Sequence, residues 1–383
     1  MGKNLQSKML IFHICSWYPN RVILNDGNFI QKHIRSLNKY VDSIVLSVYE
    51  DSDLKSGYQL IESQDEGIKA YIYYISQSKN KFLKIFKRFL FYFKGYKLLK
   101  KKYGKPDILH AHVFLFGGIF SWLLSFFEKT PYIVSEHSNI YSNKIPIFKK
   151  ILVRKSAKKS KYIFPVSRNL QSKLLKMNIN GNYLIIPNVV DCNIFKPIIK
   201  NSNSVFQFLH ISNFAVEKNI PGLLKAIKKL SEQRSDYHFT IAGDGELSEV
   251  KKLINNHEID YKFLSIKGKL SENEVALNMQ NSDCFVLFSD DENLPCVILE
   301  AISSGLPVIS TNVGGIIEIL NDEKLGVLIE PQDVTALLKA LNYVIDNKLK
   351  YNKTYISNFG RNNFSEELVG NQIFNIYKEI LST

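Results

Sequence analysis

The chain has 383 residues, a formal net charge of +14, and is 45% hydrophobic, 12% aromatic and 22% charged. That balance belongs to a globular protein with room for two domains and excludes a disordered or fibrous chain. The charge is split: residues 1–200 hold 33 Lys/Arg against 12 Asp/Glu, and residues 201–383 hold 17 against 24, so the two halves face different partners.

The N-terminal "MGKNLQSKMLIFHICSWYP" has no small-residue cleavage site, and its apolar run alternates as a strand does, so no signal peptide is expected. Strands are predicted at 8–17, 43–49, 69–76, 107–113, 131–138 and 161–167, with a helix over 27–40. The most apolar stretch, "VFLFGGIFSWLLSFF" at 113–127, holds two glycines and falls short of the roughly 18–20 residues a membrane span needs. It predicts a buried loop and helix. A proline-punctuated segment, "NYLIIPNVVDCNIFKP" (182–197), closes this series as a linker.

The pattern then restarts. Strands are expected at 206–214, 237–246, 263–270, 284–289, 306–312 and 326–330, and helices over 218–233, 247–257, 334–346 and 365–381. Strands alternating with helices imply a parallel sheet covered on both faces. The expected fold is therefore α/β, with two doubly wound Rossmann-like domains in succession and ligands beyond the carboxyl ends of the strands, in the cleft between the domains. The four cysteines, at 15, 192, 284 and 296, lack metal-ligand spacing and suit a reducing cytoplasm.

One segment carries chemistry. In "DDENLPCVILEAISSG" (290–305), Pro295 is suited to the first turn of a helix and Gly305 to its end. Glu292 then lies in the loop before the helix and Glu300 on its second turn. A helix N-terminus offers N–H groups and a positive dipole end to a phosphate, and a carboxylate on each side can accept bonds from sugar hydroxyls. Such a clamp fits a nucleotide-sugar better than an acid/base pair does.

The stretch "SDDENLPCVILEAISSGLPVISTNVGGIIEIL" (289–320) resembles the E-x7-E signature of family-4 retaining glycosyltransferases of the GT-B fold. Further segments match that family in order: "PNRVILNDGNFIQKHIRSL", "DILHAHVFLFGG", "PYIVSEHS", "VEKNIPGLLKAI", "FTIAGDGE" and "IKGKLSENEV". The resemblance implies an N-terminal acceptor domain over 1–197, with 364–383 packing back on it, and a nucleotide-sugar domain over 198–363. It implies that Glu300 binds the ribose, Glu292 the donor sugar, and Lys218 the diphosphate as it leaves. The backbone of Asn293, Leu294, Pro295, Cys296 and Val297 would cradle sugar and diphosphate. Asn213 and Gly243 would line the donor site, with His137 beside the sugar, Gly27 in the N-terminal glycine loop and His112 as a further candidate.

No metal or other cofactor is implied, and the donor would be a UDP-sugar or GDP-sugar. Two positions depart from the family pattern. Asn213 stands where an arginine is usual, which leaves Lys218 to meet the diphosphate with another cation. Asn293 stands where a glycine is usual, and a positive φ would be less comfortable there.

Isolated histidines and carboxylates are usually structural. His210 in "FLHIS" reads as a packed strand residue, Asp244 in "GDGE" as a turn residue, and His110 and His112 as divided between core and cleft. Asp51-Ser52-Asp53 has the D-x-D form of a metal-dependent sugar transferase site, a form common by chance. Two basic, acid-free stretches, 79–105 with eleven Lys/Arg and eight aromatics and 144–161 with eight Lys/Arg, have the composition of helices lying on anionic lipid. The chain has no known nucleic-acid motif, so no nucleic-acid partner is expected. The expected function is a cytoplasmic glycosyltransferase, peripheral on the inner face of the plasma membrane. It would extend a glycan or lipid-linked glycan in bacterial capsule, lipopolysaccharide O-antigen or exopolysaccharide synthesis. The rivals are a transferase to a small acceptor, such as the malate transferase of bacillithiol synthesis, and a non-catalytic GT-B scaffold.

Overall fold

The computed structural model describes residues 8–138, 145–198 and 205–382. The chain falls into two units, Met1–Val189 with Glu366–Thr383, and Val190–Ser365.

The first unit's sheet contains β1 (Met9–Cys15), β2 (Val41–Asp51), β3 (Tyr58–Asp65), β4 (Ile68–Ser76), β5 (Ile108–His112), β6 (Tyr132–Glu136) and β7 (Ile163–Pro165). They lie in the order β3-β4-β2-β1-β5-β6-β7. Every neighbouring pair is parallel except β3 with β4. The helices are α1 (Asn28–Ser36), α2 (Lys81–Tyr103), α3 (Ile119–Glu128), α4 (Ile147–Lys159) and α5 (Arg168–Lys176). The inner strands are buried at nearly every position because both faces of a parallel sheet are covered, and all five residues of β5 are buried.

β3 is not foreseen from sequence. Its residues are mostly exposed and polar, so it shows no buried face. The hairpin to β4 turns on Glu66 (φ 46°) and Gly67 (φ 82°), with Asp65 opposite Ile68. Two consecutive left-handed residues are what a two-residue hairpin requires.

The second unit's sheet contains β8 (Phe206–Ser212), β9 (Tyr237–Gly243), β10 (Leu264–Lys267), β11 (Cys284–Leu287), β12 (Val308–Thr311) and β13 (Gly326–Ile329). It runs β10-β9-β8-β11-β12-β13 and is parallel throughout. Its helices are α6 (Ile220–Ser231), α7 (Leu247–Asn256), α8 (Glu272–Gln280), α9 (Cys296–Ser303), α10 (Ile316–Ile319), α11 (Val334–Asp346) and α12 (Lys353–Phe364). α12 packs on α9. Sequence reasoning passes over it because its glycine and three asparagines are poor helix formers.

The last helix, α13 (Glu366–Ser382), belongs to the first unit. Val369, Ile373, Tyr377 and Ile380 form its buried stripe and share a core with Ile11, Leu37, Ile108 and Ile133. The domain boundary expected near residue 197 falls between Val189 and Val190 instead. The reason is local: the Val190 N–H donates to the Phe364 carbonyl at 2.8 Å, so the segment that follows stays with the second unit.

In each sheet the strand order reverses once, between β1 and β5 in the first and between β8 and β11 in the second. Loops leaving the carboxyl ends of two such strands diverge, and the gap they leave is where open α/β sheets bind ligands. Lys218 follows β8 and Glu292 follows β11, whereas Gly27 follows β1 and His112 ends β5.

Candidate active site

In the second unit, the loops at the reversal point are stitched together. The Asp290 N–H donates to the Glu217 carbonyl at 2.7 Å, and the Asn219 side-chain amide donates to Asp290 Oδ1 at 3.2 Å. These bonds bring the Lys218 ammonium to 2.5 Å from Glu292 Oε1. The Ser289 hydroxyl donates to the same oxygen at 2.9 Å. The side chains of Lys218 and Glu292 are only 15% and 8% exposed.

Gly314 closes the back of this loop. It sits at φ +62°, and a Cβ there would lie 2.0 Å from the Glu292 carbonyl oxygen, so only glycine allows the approach. The Gly315 N–H then donates to the Asn293 carbonyl at 2.6 Å. Asn293 itself stays out of the left-handed region, so its side chain carries none of the strain expected from losing a glycine there.

α9 begins at Cys296, with Pro295 as its cap (φ −69°, ψ 123°) rather than inside the first turn. Leu294 is buried and Val297 half-buried ahead of the apolar face. The first turn of any α-helix has N–H groups without acceptors in the helix itself. Glu300, on the second turn, is buried at 6% exposure. Asn213 is exposed, and its side chain accepts the Ala215 N–H at 3.3 Å. Gly243 is buried against the Ser212 carbonyl, and Asp244 is an exposed turn residue paired with Lys269 at 2.9 Å. His210 is a core residue, bonded to the Val286 carbonyl and to the Ser212 hydroxyl, each at 2.9 Å.

In the first unit, Gly27 caps α1 at φ +65°, where a Cβ would meet the Trp17 carbonyl carbon at 2.7 Å. The buried Glu136 organises the loops after β5 and β6. Its carboxylate accepts the N–H groups of Phe114, His137 and Ser138 at 2.8–2.9 Å. Sequence reasoning passed over Glu136; the only signal is its place immediately before His137 at the end of β6.

His137 Nδ1 is 3.3 Å from Asn188 Oδ1, and its ring lies against Phe29 and edge-on to His33. His110 and His112 are both fully buried. His112 Nε2 is 3.1 Å from His13 Nδ1, and His13 Nε2 is 3.2 Å from the Ser43 hydroxyl. His110 is held by the Tyr377 hydroxyl at 2.6 Å and by the Ser135 hydroxyl at 2.7 Å.

His13, His110 and His112 each bring a ring nitrogen within 4.8 Å of the others. Hydrogen bonds already occupy both nitrogens of His13 and of His110, so the set reads as a neutral polar network. Burial lowers His13 to about 3 and His33 to about 4, and holds His110, His112 and His137 well below the ordinary histidine value. Asp51 of the D-x-D is committed elsewhere. Arg21 donates to its Oδ2 at 2.6 Å and the Asp53 N–H to its Oδ1 at 2.9 Å.

Both halves of the chain match known protein families. The model of group 1 glycosyl transferases matches residues 193–361, and that of glycosyltransferase family 4 matches residues 59–194. The chain is a family-4-like glycosyltransferase homologue with the GT-B fold.

Among the relatives of this glycosyltransferase homologue is the Escherichia coli UDP-Gal:alpha-D-GlcNAc-diphosphoundecaprenol alpha-1,3-galactosyltransferase. It is 33% identical over 181 residues, 43% of this chain and 46% of the relative. The N-acetyl-alpha-D-glucosaminyl L-malate synthase of Bacillus anthracis is 33% identical over 146 residues, 38% of this chain and 37% of the relative. The matches thus span less than half the length of either relative. Anabaena HepE, solved in complex with UDP, superposes with a TM-score of 0.75 at 16% identity, covering 97% of this chain and 100% of that one.

The glycosyltransferase homologue also carries the basic aromatic surface expected from its first half. α2 buries Tyr92, Tyr96 and Leu99 in its C-terminal part, while its N-terminal part exposes Phe82 (83%) and Phe86 (64%) among lysines. α4 exposes Ile147 (67%) and Phe148 (51%). The turn Phe114–Gly118 joins the two: α4 packs on it, Phe89 meets Phe116 at 6.1 Å, and the Arg88 guanidinium lies 3.9 Å from the Phe116 ring centre. Lys144, at the start of the second basic stretch, lies outside the described residues. No described helix is long and apolar enough to cross a membrane.

The buried histidines predict a pH dependence. They stay neutral in the folded state but take up protons in the unfolded chain below about 6.5. Their contribution is therefore complete above that value and is lost as pH falls toward about 4 for His33 and His210 and about 3 for His13. Each such group adds up to ~1.4 kcal/mol per pH unit to the fall. Urea unfolding between pH 7.5 and 4.5 should show a midpoint that drops steeply below pH 6.5. A flat profile would mean that these rings titrate freely.

Proposed function

We propose that the protein is a retaining glycosyltransferase that moves a sugar from a UDP-sugar or GDP-sugar, held by the second unit, to a lipid-linked glycan or glycan held by the first. The observation that carries this is the assembly of Lys218, Ser289 and Glu292 at the reversal point of the second sheet, immediately before α9 and its buried Glu300. In this proposal the diphosphate lies at the N-terminus of α9 beside Lys218. Glu300 takes the ribose hydroxyls and Glu292 those of the sugar, with Asn213, Gly243 and the backbone from Asn293 to Val297 lining the donor.

As the glycosidic bond breaks, Lys218 and the helix dipole stabilise the negative charge gathering on the diphosphate, which is the main demand of the reaction. The acceptor hydroxyl then attacks from the face that the phosphate leaves, so configuration is retained without a protein nucleophile. Charge neutralisation by Lys218 and α9 leaves no step that needs a divalent metal. In the first unit, Gly27 and His137 are assigned to substrate positioning. His137, kept neutral by burial, serves as a hydrogen-bonding group rather than a cation.

The acceptor is assigned from the surface of the first unit. Exposed Phe82, Phe86, Ile147 and Phe148 among lysines suit an interfacial face on anionic lipid. The E. coli relative acts, by its name, on a diphosphoundecaprenol-linked sugar. Both favour a cytoplasmic enzyme, peripheral on the membrane, that builds a bacterial surface polysaccharide. The equal identity to a malate synthase favours a second reading with a small soluble acceptor.

Two measurements test this. In a panel of UDP- and GDP-sugars, one donor should raise the unfolding temperature and be turned over to free nucleotide with EDTA present. Stabilisation by none of them would overturn the donor assignment. The protein should sediment with phosphatidylglycerol vesicles at low salt and be released at high salt, and substitution of Phe82 and Phe86 by serine should weaken the association. Indifference to lipid charge and to those substitutions would leave the small-acceptor reading.

A further inference from the structure

Lys218 and Glu292 are both assigned to the donor, yet they are bound to each other at 2.5 Å. This contact is built, not incidental. Two hydrogen bonds fasten the Lys218 turn to the Glu292 loop, Ser289 fixes the carboxylate oxygen that the ammonium grips, and Gly314 holds the loop from behind. A buried carboxylate that loses its cation is costly unless another donor replaces it.

An intact nucleotide-sugar replaces it: as the diphosphate draws Lys218 away, the sugar hydroxyls donate to Glu292. A spent nucleoside diphosphate offers Lys218 the same phosphates and offers Glu292 nothing. We infer that Glu292 is a specificity residue that competes with the diphosphate for Lys218, so that the site favours the intact donor and expels the nucleoside diphosphate left after transfer. Ser289 is the positioning residue that keeps the carboxylate in reach. The inference rests on the donor assignment above and adds the discrimination between donor and product.

The test is calorimetric titration of the full chain with UDP, GDP, UDP-glucose and GDP-mannose, or with whichever nucleotide-sugar proves to be the donor. In Glu292→Gln, the nucleoside diphosphate should bind at least about five-fold tighter, the low end of ordinary coupling between linked interactions, while the matching nucleotide-sugar binds more weakly. Glu292→Asp, which shortens the reach to Lys218, should shift both affinities the same way by less. In Lys218→Gln, adding Glu292→Gln should no longer strengthen nucleoside diphosphate binding.

Nucleoside diphosphate affinity that is unchanged or lower in folded Glu292→Gln and Glu292→Asp overturns the inference and leaves the donor assignment standing. If the wild-type chain binds no nucleotide and no nucleotide-sugar, the donor assignment itself falls.

Discussion

A carboxylate taken out of water must be met by donors, and the loops of the second unit are organised around that demand at Glu292. The Lys218 ammonium and the Ser289 hydroxyl converge on one oxygen. The backbone bond from Asp290 to Glu217 sets the distance, and Gly314 leaves the room. The topology makes this arrangement available. The sheet reverses its strand order between β8 and β11, so the two loops that carry the pair leave adjacent strands side by side and bond to each other. α9 starts just after Glu292, so a helix N-terminus and the half-buried lysine bound to Glu292 stand on two neighbouring loops. Both features attract an anion.

The first unit meets a parallel demand with a different device. Glu136, fully buried, accepts three backbone N–H groups. It thereby ties the turn after β5 to the residue preceding His137. The histidines next to it cannot afford charge, because burial and their mutual proximity disfavour the protonated forms. They act as hydrogen-bonding rings: His110 fastens α13 through Tyr377, and His13 links β1 to β2 and β5. A network of this kind rigidifies a core where its members are satisfied, as both ring nitrogens of His13 and of His110 are.

Much of this was legible in the sequence, for identifiable reasons. Buried parallel strands such as β5 and β11 are short apolar runs, which sequence displays directly. The segment around Glu292 and Glu300 declares a loop and a helix through Pro295 and Gly305. β3 was missed because a polar edge strand has no periodic apolar face, and α12 because its asparagines and glycine hide a helix that tertiary packing on α9 supports. The Lys218–Glu292 contact could not be read at all. The two residues lie 74 positions apart, and nothing local to either announces the other. His13 and Glu136 were invisible for a similar reason, since their roles come from the sheet register that sets His13 beside His110 and from the loops that close over Glu136.

The central claim is that α9 and its flanking carboxylates hold a nucleotide, with Glu300 on the ribose. Its most direct test is the affinity of the Glu300→Gln variant for UDP and GDP, measured by titration calorimetry beside the wild-type chain. The claim predicts a loss of at least about tenfold, or ~1.4 kcal/mol, for the nucleotide that the wild type binds. Unchanged nucleotide affinity, with a loss confined to turnover, would contradict it and return Glu292 and Glu300 to the role of an acid/base pair.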